Sequence, residues 1–425
     1  MKPISLRLFG SLLAVAGITG SLVAFFLWSL DKVTQFRWHH NWLLFLLPLG
    51  GLLIYYLYQK FDPEAEKGNN LIIDEIHHSP NELKPSITPL ILFSTLITHL
   101  FGGSAGREGT AVQMGGGISK WFIDRISFTE EEKKLLFLCG MSAGFAAIFN
   151  TPVTGAVFAI EVLAIGSLHR EGFLPCLLAA FVGQLVTNAF PISHTHYSIH
   201  LTKPSLFSSP LHLNLKLLGY VLIAGVLFGL VAKLFVLILE NIKKYSQKTF
   251  SKKYQSIILG GLLIIALGQI NSIQPYLGLG VSNLNPKDPS LINAFNSSIN
   301  TPHSAWFLKL MLTAITLGFG YKGGEVTPLF FIGATFGNAL AGTFGLPVDL
   351  FAGLGFIAVF CGATNTPIAC TLMGIELFGW EYGLYYATVC LFAYYVSGQK
   401  GIYHAQKNNQ PKGYRTKNLL RLGKR

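Results

Sequence analysis

The sequence predicts an all-α integral membrane protein, folded as an inverted repeat with many tilted, broken and re-entrant helices. Three observations predict it. The 425 residues are 51% hydrophobic and only 12% charged, about half the charged share of an ordinary soluble domain, and the mean hydropathy is +0.47. The apolar segments are numerous, several are short for a bilayer, and many are cut by Gly or Pro. The second half of the chain also repeats motifs of the first.

The apolar segments run at about 8–30, 42–58, 88–101, 111–122, 136–165, 174–190, 213–239, 255–269, 305–320, 327–345, 349–361 and 367–397. A crossing helix needs about 20 apolar residues. Broken or re-entrant helices persist at membrane depth only where protein buries them or they line a polar cavity, so a simple bundle of long spans is not expected. Lys2 and Arg7 precede an apolar run too long for a leader core, with no small-residue cleavage site after it, and it reads as a first span. Cys139, Cys176, Cys361, Cys370 and Cys390 stand apart, without CxxC or Cys/His ligand spacing. They read as small buried apolar residues, and no metal or cofactor is expected.

The repeat has three parts. Asn150-Thr-Pro-Val-Thr-Gly-Ala-Val-Phe-Ala-Ile-Glu-Val162 returns 215 positions later as Asn365-Thr-Pro-Ile-Ala-Cys-Thr-Leu-Met-Gly-Ile-Glu-Leu377. Gly106-Arg-Glu-Gly-Thr110 returns as Gly323-Gly-Glu-Val-Thr327, and Gly50-Gly-Leu-Leu-Ile54 as Gly260-Gly-Leu-Leu-Ile264. Matches in one order at nearly one offset divide the chain into two halves, 1–212 and 213–403, with a basic tail over 404–425. Charge gives their relative orientation. The linker after the first span, 31–42, has only Lys32 and Arg37 as bases, whereas its counterpart 241–253 has five lysines. By the positive-inside rule these equivalent loops fall on opposite sides, so the repeat is inverted. The lysine linker and the basic tail are expected in the cytoplasm, with both termini there and the body in the plasma (inner) membrane. The net charge of +12 is thus explained by topology. Nucleic acid is not the expected partner, because the basic runs flank spans and lack interleaved aromatics.

The stretch Gly102-Gly-Ser-Ala-Gly-Arg-Glu-Gly-Thr110, running on to Gly117, is neither a P-loop nor a dinucleotide fingerprint. It reads as a helix start inside the membrane, where free N–H groups and the helix dipole make an anion site. Glu108 lies in its middle, and its carboxylate can occupy the site until an incoming anion or a proton drives it off. Glu325 lies at the matching start in the second half. In inverted repeats such starts meet near the midplane and face the substrate. The bland alternatives are a Gly-rich packing patch around Glu108 and a helix-capping role for Glu325. Arg107 reads as structural, paired with an acid or with carbonyls at the helix start. Glu161 and Glu376, late in the repeated apolar helices, read as structural or near a subunit interface. His194, His196, His200 and His212 crowd 186–214 without Cys or carboxylate companions, which reads as a solvated extracytoplasmic loop.

At these residues the chain resembles the CLC family of chloride channels and proton-coupled anion antiporters, over about residues 8–405. The marks are Gly106-Arg-Glu-Gly109, Phe149-Asn-Thr-Pro-Val-Thr-Gly155 with Ile160-Glu161, Gly-Gly-x-x-x-Pro at 323–328, and Tyr403, similar to the family's pore-facing tyrosine. There are departures. Gly68-Asn-Asn-Leu-Ile72 stands where chloride-selective members read Gly-Ser-Gly-Ile-Pro, which puts Asn69 in place of the pore serine. Thr110 replaces a proline, Glu325-Val-Thr327 replaces Ile-Phe-Ala, and Val162 stands where exchangers carry an inner proton-route glutamate. Together these are similar to the fluoride/proton antiporter branch.

The resemblance implies a proton-coupled antiporter in the lipid bilayer, exporting fluoride in exchange for protons, with chloride a weaker substrate. The alternative is a chloride channel or chloride/proton exchanger of the same fold. Glu108 would gate and couple protons, and Glu325 would contact proton or fluoride. Asn69, Gly106, Arg107, Gly109, Thr110, Val326, Thr327 and Tyr403 would form the ion-binding set. A homodimer with one pore per subunit is implied, in contact through the helices after Asn150 and Asn365. An intramembrane enzyme is disfavoured by the lack of HExxH and Gly-x-Gly-Asp motifs.

Overall fold

The computed structural model describes residues 5–78, 82–192, 194–195, 197–199, 214–408 and 412. Among these, fifteen α-helices form and no strand does, only two isolated bridges. The first half holds α1 (Leu6–His39), α2 (Leu47–Phe61), α3 (Asn69–His78), α4 (Ile87–Leu100), α5 (Glu108–Ile123), α6 (Glu130–Phe149), α7 (Pro152–Glu161) and α8 (Phe173–Asn188). The second holds α9 (Leu215–Thr249), α10 (Lys253–Gly268), α11 (Ala305–Gly318), α12 (Val326–Phe344), α13 (Val348–Thr364), α14 (Pro367–Phe378) and α15 (Gly383–Val396). Leaving α3 aside, the seven remaining first-half helices match the second-half set in order. Five helical stretches are long and apolar enough to cross a membrane, and seven apolar helices are shorter. Phe25, Trp28, Leu49, Leu185, Ile223, Leu230 and Leu384 stand exposed on the outside, as lipid-facing side chains do.

Two expected boundaries move. The segments 31–42 and 241–253 are mostly helix rather than linker, since α1 runs to His39 and α9 to Thr249. Lys243, Lys244 and Lys248 therefore ride on the last turns of α9. The apolar runs 136–165 and 367–397 each split in two. The first splits at the repeated Asn-Thr-Pro, whose residues each have a task. Asn150 and Asn365 end α6 and α13 in the left-handed conformation, at φ 62° and 61°, which Asn tolerates better than most side chains. Pro152 and Pro367 then open α7 and α14, where a missing N–H costs nothing.

The glutamates closing these short helices cap each other's partners. Glu376, near the end of α14, accepts from Val153 N–H (3.0 Å), Thr154 N–H (2.7 Å) and the Thr154 hydroxyl (2.6 Å) at the start of α7. Glu161, at the end of α7, accepts from Ile368 N–H (3.0 Å) and Ala369 N–H (2.8 Å) at the start of α14. Free N–H groups of a first turn need such acceptors when no water reaches them. This confirms a structural role for both.

The core is built on close pairs that also repeat. A Cβ added at Gly115 of α5 would overlap the Gly140 carbonyl of α6, and one at Gly333 of α12 would overlap the Gly355 carbonyl of α13. Small residues let these backbones touch. After α15 the chain turns back inward. Ile402 N–H donates to Ala363 O (2.8 Å), and the Gln406 amide donates to Val162 O and Thr364 O, both 2.8 Å. Residues 404–408 are therefore packed against both halves rather than loose.

Candidate anion pathway

The loops before α5 and α12 meet. Gly106 N–H donates to Gly324 O at 2.6 Å, and Gly324 N–H donates to Gly106 O at 2.8 Å, an antiparallel bridge. The bridge brings the N-terminal ends of α5 and α12 together, and neither end is capped by a side chain of its own cap residue. Approach this close requires glycine: a Cβ on Gly106 would lie 2.9 Å from Gly324 O and 3.0 Å from Thr327 N.

Glu108 crosses this gap. Its carboxylate accepts from Thr327 N–H (2.9 Å), from the Thr327 hydroxyl, and from Arg107 N–H (3.2 Å). The side chain is 2% exposed. The carboxylate thus sits at the positive end of α12, on the N–H groups that would hold a free anion. Arg107 Nε stands 3.6 Å from the Glu108 carboxylate, the structural pairing expected from sequence.

Asn69 begins α3 and lies beside the start of α5. A Cβ on Gly109 would sit 3.1 Å from Asn69 Nδ2 and 4.0 Å from Glu325 Oε2. Asn69, Gly109 and Glu325 therefore share one small space. It opens into a cavity of about 120 Å³ whose lining includes Tyr58, Asn69, Gln113, Lys322, Glu325 and Tyr403. Tyr403 is buried and packs edge-on against Phe158 at 6.4 Å. Glu325 makes no side-chain cap for α12. The capping reading of Glu325 is thus replaced by a place in the cavity wall, and the cap comes from Glu108 instead.

Not every expected residue arrives there. The Thr110 hydroxyl is buried against Thr95 of α4 at 2.8 Å, and Thr110 lines neither this cavity nor the one described next. Val326 is buried and lines neither as well. Gln113 was missed by sequence reasoning. Its Oε1 and Asn69 Oδ1 are buried acceptors without a hydrogen-bond partner among the described residues, fit for water or a protonated carboxyl. The available signal was an amide interrupting the apolar run of α5.

Against Glu108 itself lies a second pocket, of about 20 Å³, lined by Arg107, Glu108, Thr327, His194, Thr195 and Tyr197 among others. Tyr197 packs on Phe295 (5.4 Å) and Phe356 (5.3 Å). The loop expected to be merely solvated is therefore folded over Glu108 in this part, because its aromatic ring finds an apolar seat. His196, His200 and His212 lie outside the described residues.

A buried carboxylate seated on a helix N-terminus, with one small cavity against it and another beside Glu325, is an arrangement able to hold an anion inside a membrane protein. Known proteins place it further. The family described as voltage gated chloride channel matches residues 50–398, and the chain belongs to that family. The chloride/fluoride channel protein of Pseudomonas syringae pv. tomato is 41% identical, aligning over 94% of this chain and 86% of its own. The H(+)/Cl(-) exchange transporter ClcA of Cronobacter sakazakii is 28% identical over 80% of this chain and 73% of its own. The crystal structure of a CLC-type fluoride/proton antiporter superposes with a TM-score of 0.87 at 33% identity, covering 95% of this chain and 98% of that one. A slow cyanobacterial Cl-/H+ antiporter, at 22% identity and a TM-score of 0.76, shares the fold.

Proposed function

We propose that the protein is a proton-coupled anion antiporter that exports fluoride in exchange for protons. The observation that carries the coupling is Glu108 seated on Thr327, where a carboxylate stands in for the transported anion. Charged, it competes with the anion; protonated, it gives up the helix end. One side chain then ties proton movement to anion movement. Val162, in place of a second acid, leaves Glu325 as the nearest candidate for the proton's further route. Fluoride is favoured over chloride by Asn69, Glu325 and Thr327, a donor-rich and acid-bearing set. A small, strongly hydrated anion must have its water replaced at close range before it enters a low-dielectric interior. The relative named for both chloride and fluoride, and the neighbouring fluoride/proton antiporter, support this choice.

The test is anion efflux from reconstituted vesicles, read by fluoride and chloride electrodes with a pH electrode beside them. Fluoride efflux with proton uptake is expected. The second reading, chloride/proton exchange, is favoured by the ClcA relative, and proton-coupled efflux of chloride but not fluoride would establish it.

We further propose the halves as 1–212 and 213–403 in inverted orientation. Supporting this, Arg37 near the end of α1 lines a cavity sharing Val281 with the pocket at Glu108, whereas Lys243 near the end of α9 lines the cavity beside Glu325. The lysine face would be cytoplasmic, with both termini on it, in the plasma membrane. Impermeant labelling of a cysteine placed at Lys252 in intact cells would contradict that sidedness. A homodimer, one pore per subunit, completes the proposal, and active protein running only as a monomer in mild detergent would sink it.

A further inference from the structure

The segment after α15 carries more than Tyr403 to the pathway. Tyr403 lines the cavity of Glu325, and its neighbour His404 lines a wider chamber of about 670 Å³. The two spaces share Asn70, Lys243 and Lys322 in their walls. Ala405 N–H donates to Asn70 Oδ1 at 3.0 Å, which fixes the segment along the seam between them. His404 Nδ1 stands 3.6 Å from Glu240 Oε1 of α9, with the two side chains 53% and 12% exposed. The imidazole therefore meets the water of the chamber, and the carboxylate behind it is largely buried.

Glu240 is held in turn by Lys244 at 3.5 Å. The charged groups that face His404 are Glu240, Lys243 and Lys244 of α9, and Glu325 at the start of α12. Partial burial holds the imidazolium below its ordinary range, and the Glu240 carboxylate opposes that shift. The pairing turns Nδ1–H toward Glu240 and leaves Nε2 as the base. A base has a use at this place. The chamber wall carries four lysines, Lys67, Lys243, Lys253 and Lys322, against two carboxylates, Glu66 and Asp74. A free proton is a cation, and an excess of positive charge around a confined space raises the cost of its crossing. A neutral imidazole backed by a carboxylate takes up the proton with a counter-charge already in position.

We propose that His404, backed by Glu240, is the proton acceptor through which Glu325 discharges into the chamber. This rests on the antiport reading above. The protonated Glu325 carboxyl breaks its O–H bond, the proton passes through water to Nε2 of His404, and Glu325 is left as a carboxylate. The imidazolium stays paired with Glu240 until an N–H bond breaks and the proton goes to water or a buffer base in the chamber. The neutral ring is then restored for the next proton.

The test follows fluoride efflux and proton uptake together in vesicles carrying the full chain. His404→Ala is expected to lower coupled turnover about tenfold, with KM for fluoride changed less than about twofold. Added imidazole, a small diffusible base, should restore most of the lost rate. Glu240→Gln keeps the shape and should slow coupled turnover several-fold, which covers the case in which His404→Ala does not reconstitute. In a Glu108→Gln background, whose anion flux needs no proton, His404→Ala should cost less than about twofold. Coupled turnover unchanged by both substitutions, a loss that imidazole does not relieve, or an equal loss in the Glu108→Gln background would overturn the assignment. Wild-type vesicles that move an anion without proton uptake would overturn the antiport reading and this route with it. Wild-type vesicles that exchange chloride for protons would change only the anion, and the same rates would then be read with a chloride electrode.

Discussion

Glu108 and Thr327 come from different halves of the chain and meet in one hydrogen-bonded pair, and two predictions follow at this scale. Glu108→Gln keeps the shape and removes the cycling charge. Proton uptake driven by fluoride is expected to vanish, while anion movement persists in uncoupled form. A pH electrode in reconstituted vesicles reads this, and full proton pumping by the mutant would remove Glu108 from the coupling. Asn69→Ser probes selectivity. Both residues begin helices well, so α3 should stand. Replacing an amide donor changes about one charge-assisted hydrogen bond, roughly 1.5–3 kcal/mol, or about one to two orders of magnitude in relative permeation. Fluoride preference should fall without reversing, since Glu325 and Thr327 remain. Unchanged fluxes of both anions would show that backbone N–H groups discriminate alone.

Among helices, the reciprocal caps between α7 and α14 carry the next prediction. Glu376→Ala strips three hydrogen bonds from the start of α7 and leaves N–H groups bare where water is scarce. A loss on the order of 2 kcal/mol is expected, seen as a lower thermal midpoint in detergent. A midpoint equal to wild type would mean that the N–H groups find other acceptors. This scale also shows what the sequence made legible. The Asn-Thr-Pro repeats were readable because each residue acts on its own backbone: a left-handed cap, then a proline opening. The helix starts at Glu108 and near Glu325 were readable for the same local reason. Partners were not, because they depend on how the halves dock. Nothing near Glu108 in the chain says that its carboxylate caps α12, nor that Glu161 and Glu376 exchange roles. Thr110 looked like a pore residue by position, yet helix rotation turns it toward Thr95. The lysines at the end of α9 read as a loop from their polarity, which hid their helical setting.

For the whole molecule, the bridge between Gly106 and Gly324 bears on how the pathway changes access. It ties one half to the other by two backbone hydrogen bonds beside the ion site. Just behind it, the Ser104 hydroxyl meets the Thr313 hydroxyl of the opposite half at 2.9 Å. A transporter whose halves rock as rigid bodies would have to tear this clasp in every turnover, with little water present to replace the lost bonds. Rotation of the Glu108 side chain leaves the clasp whole. If Glu108 gates as proposed, the moving part would be one carboxylate within a stationary frame, closer to a valve than to a rocker. Ser104→Cys with Thr313→Cys, oxidised to a cross-link verified by mass, should therefore still move the anion at near the reduced rate. Arrest on oxidation and recovery on reduction would show instead that the two halves must part.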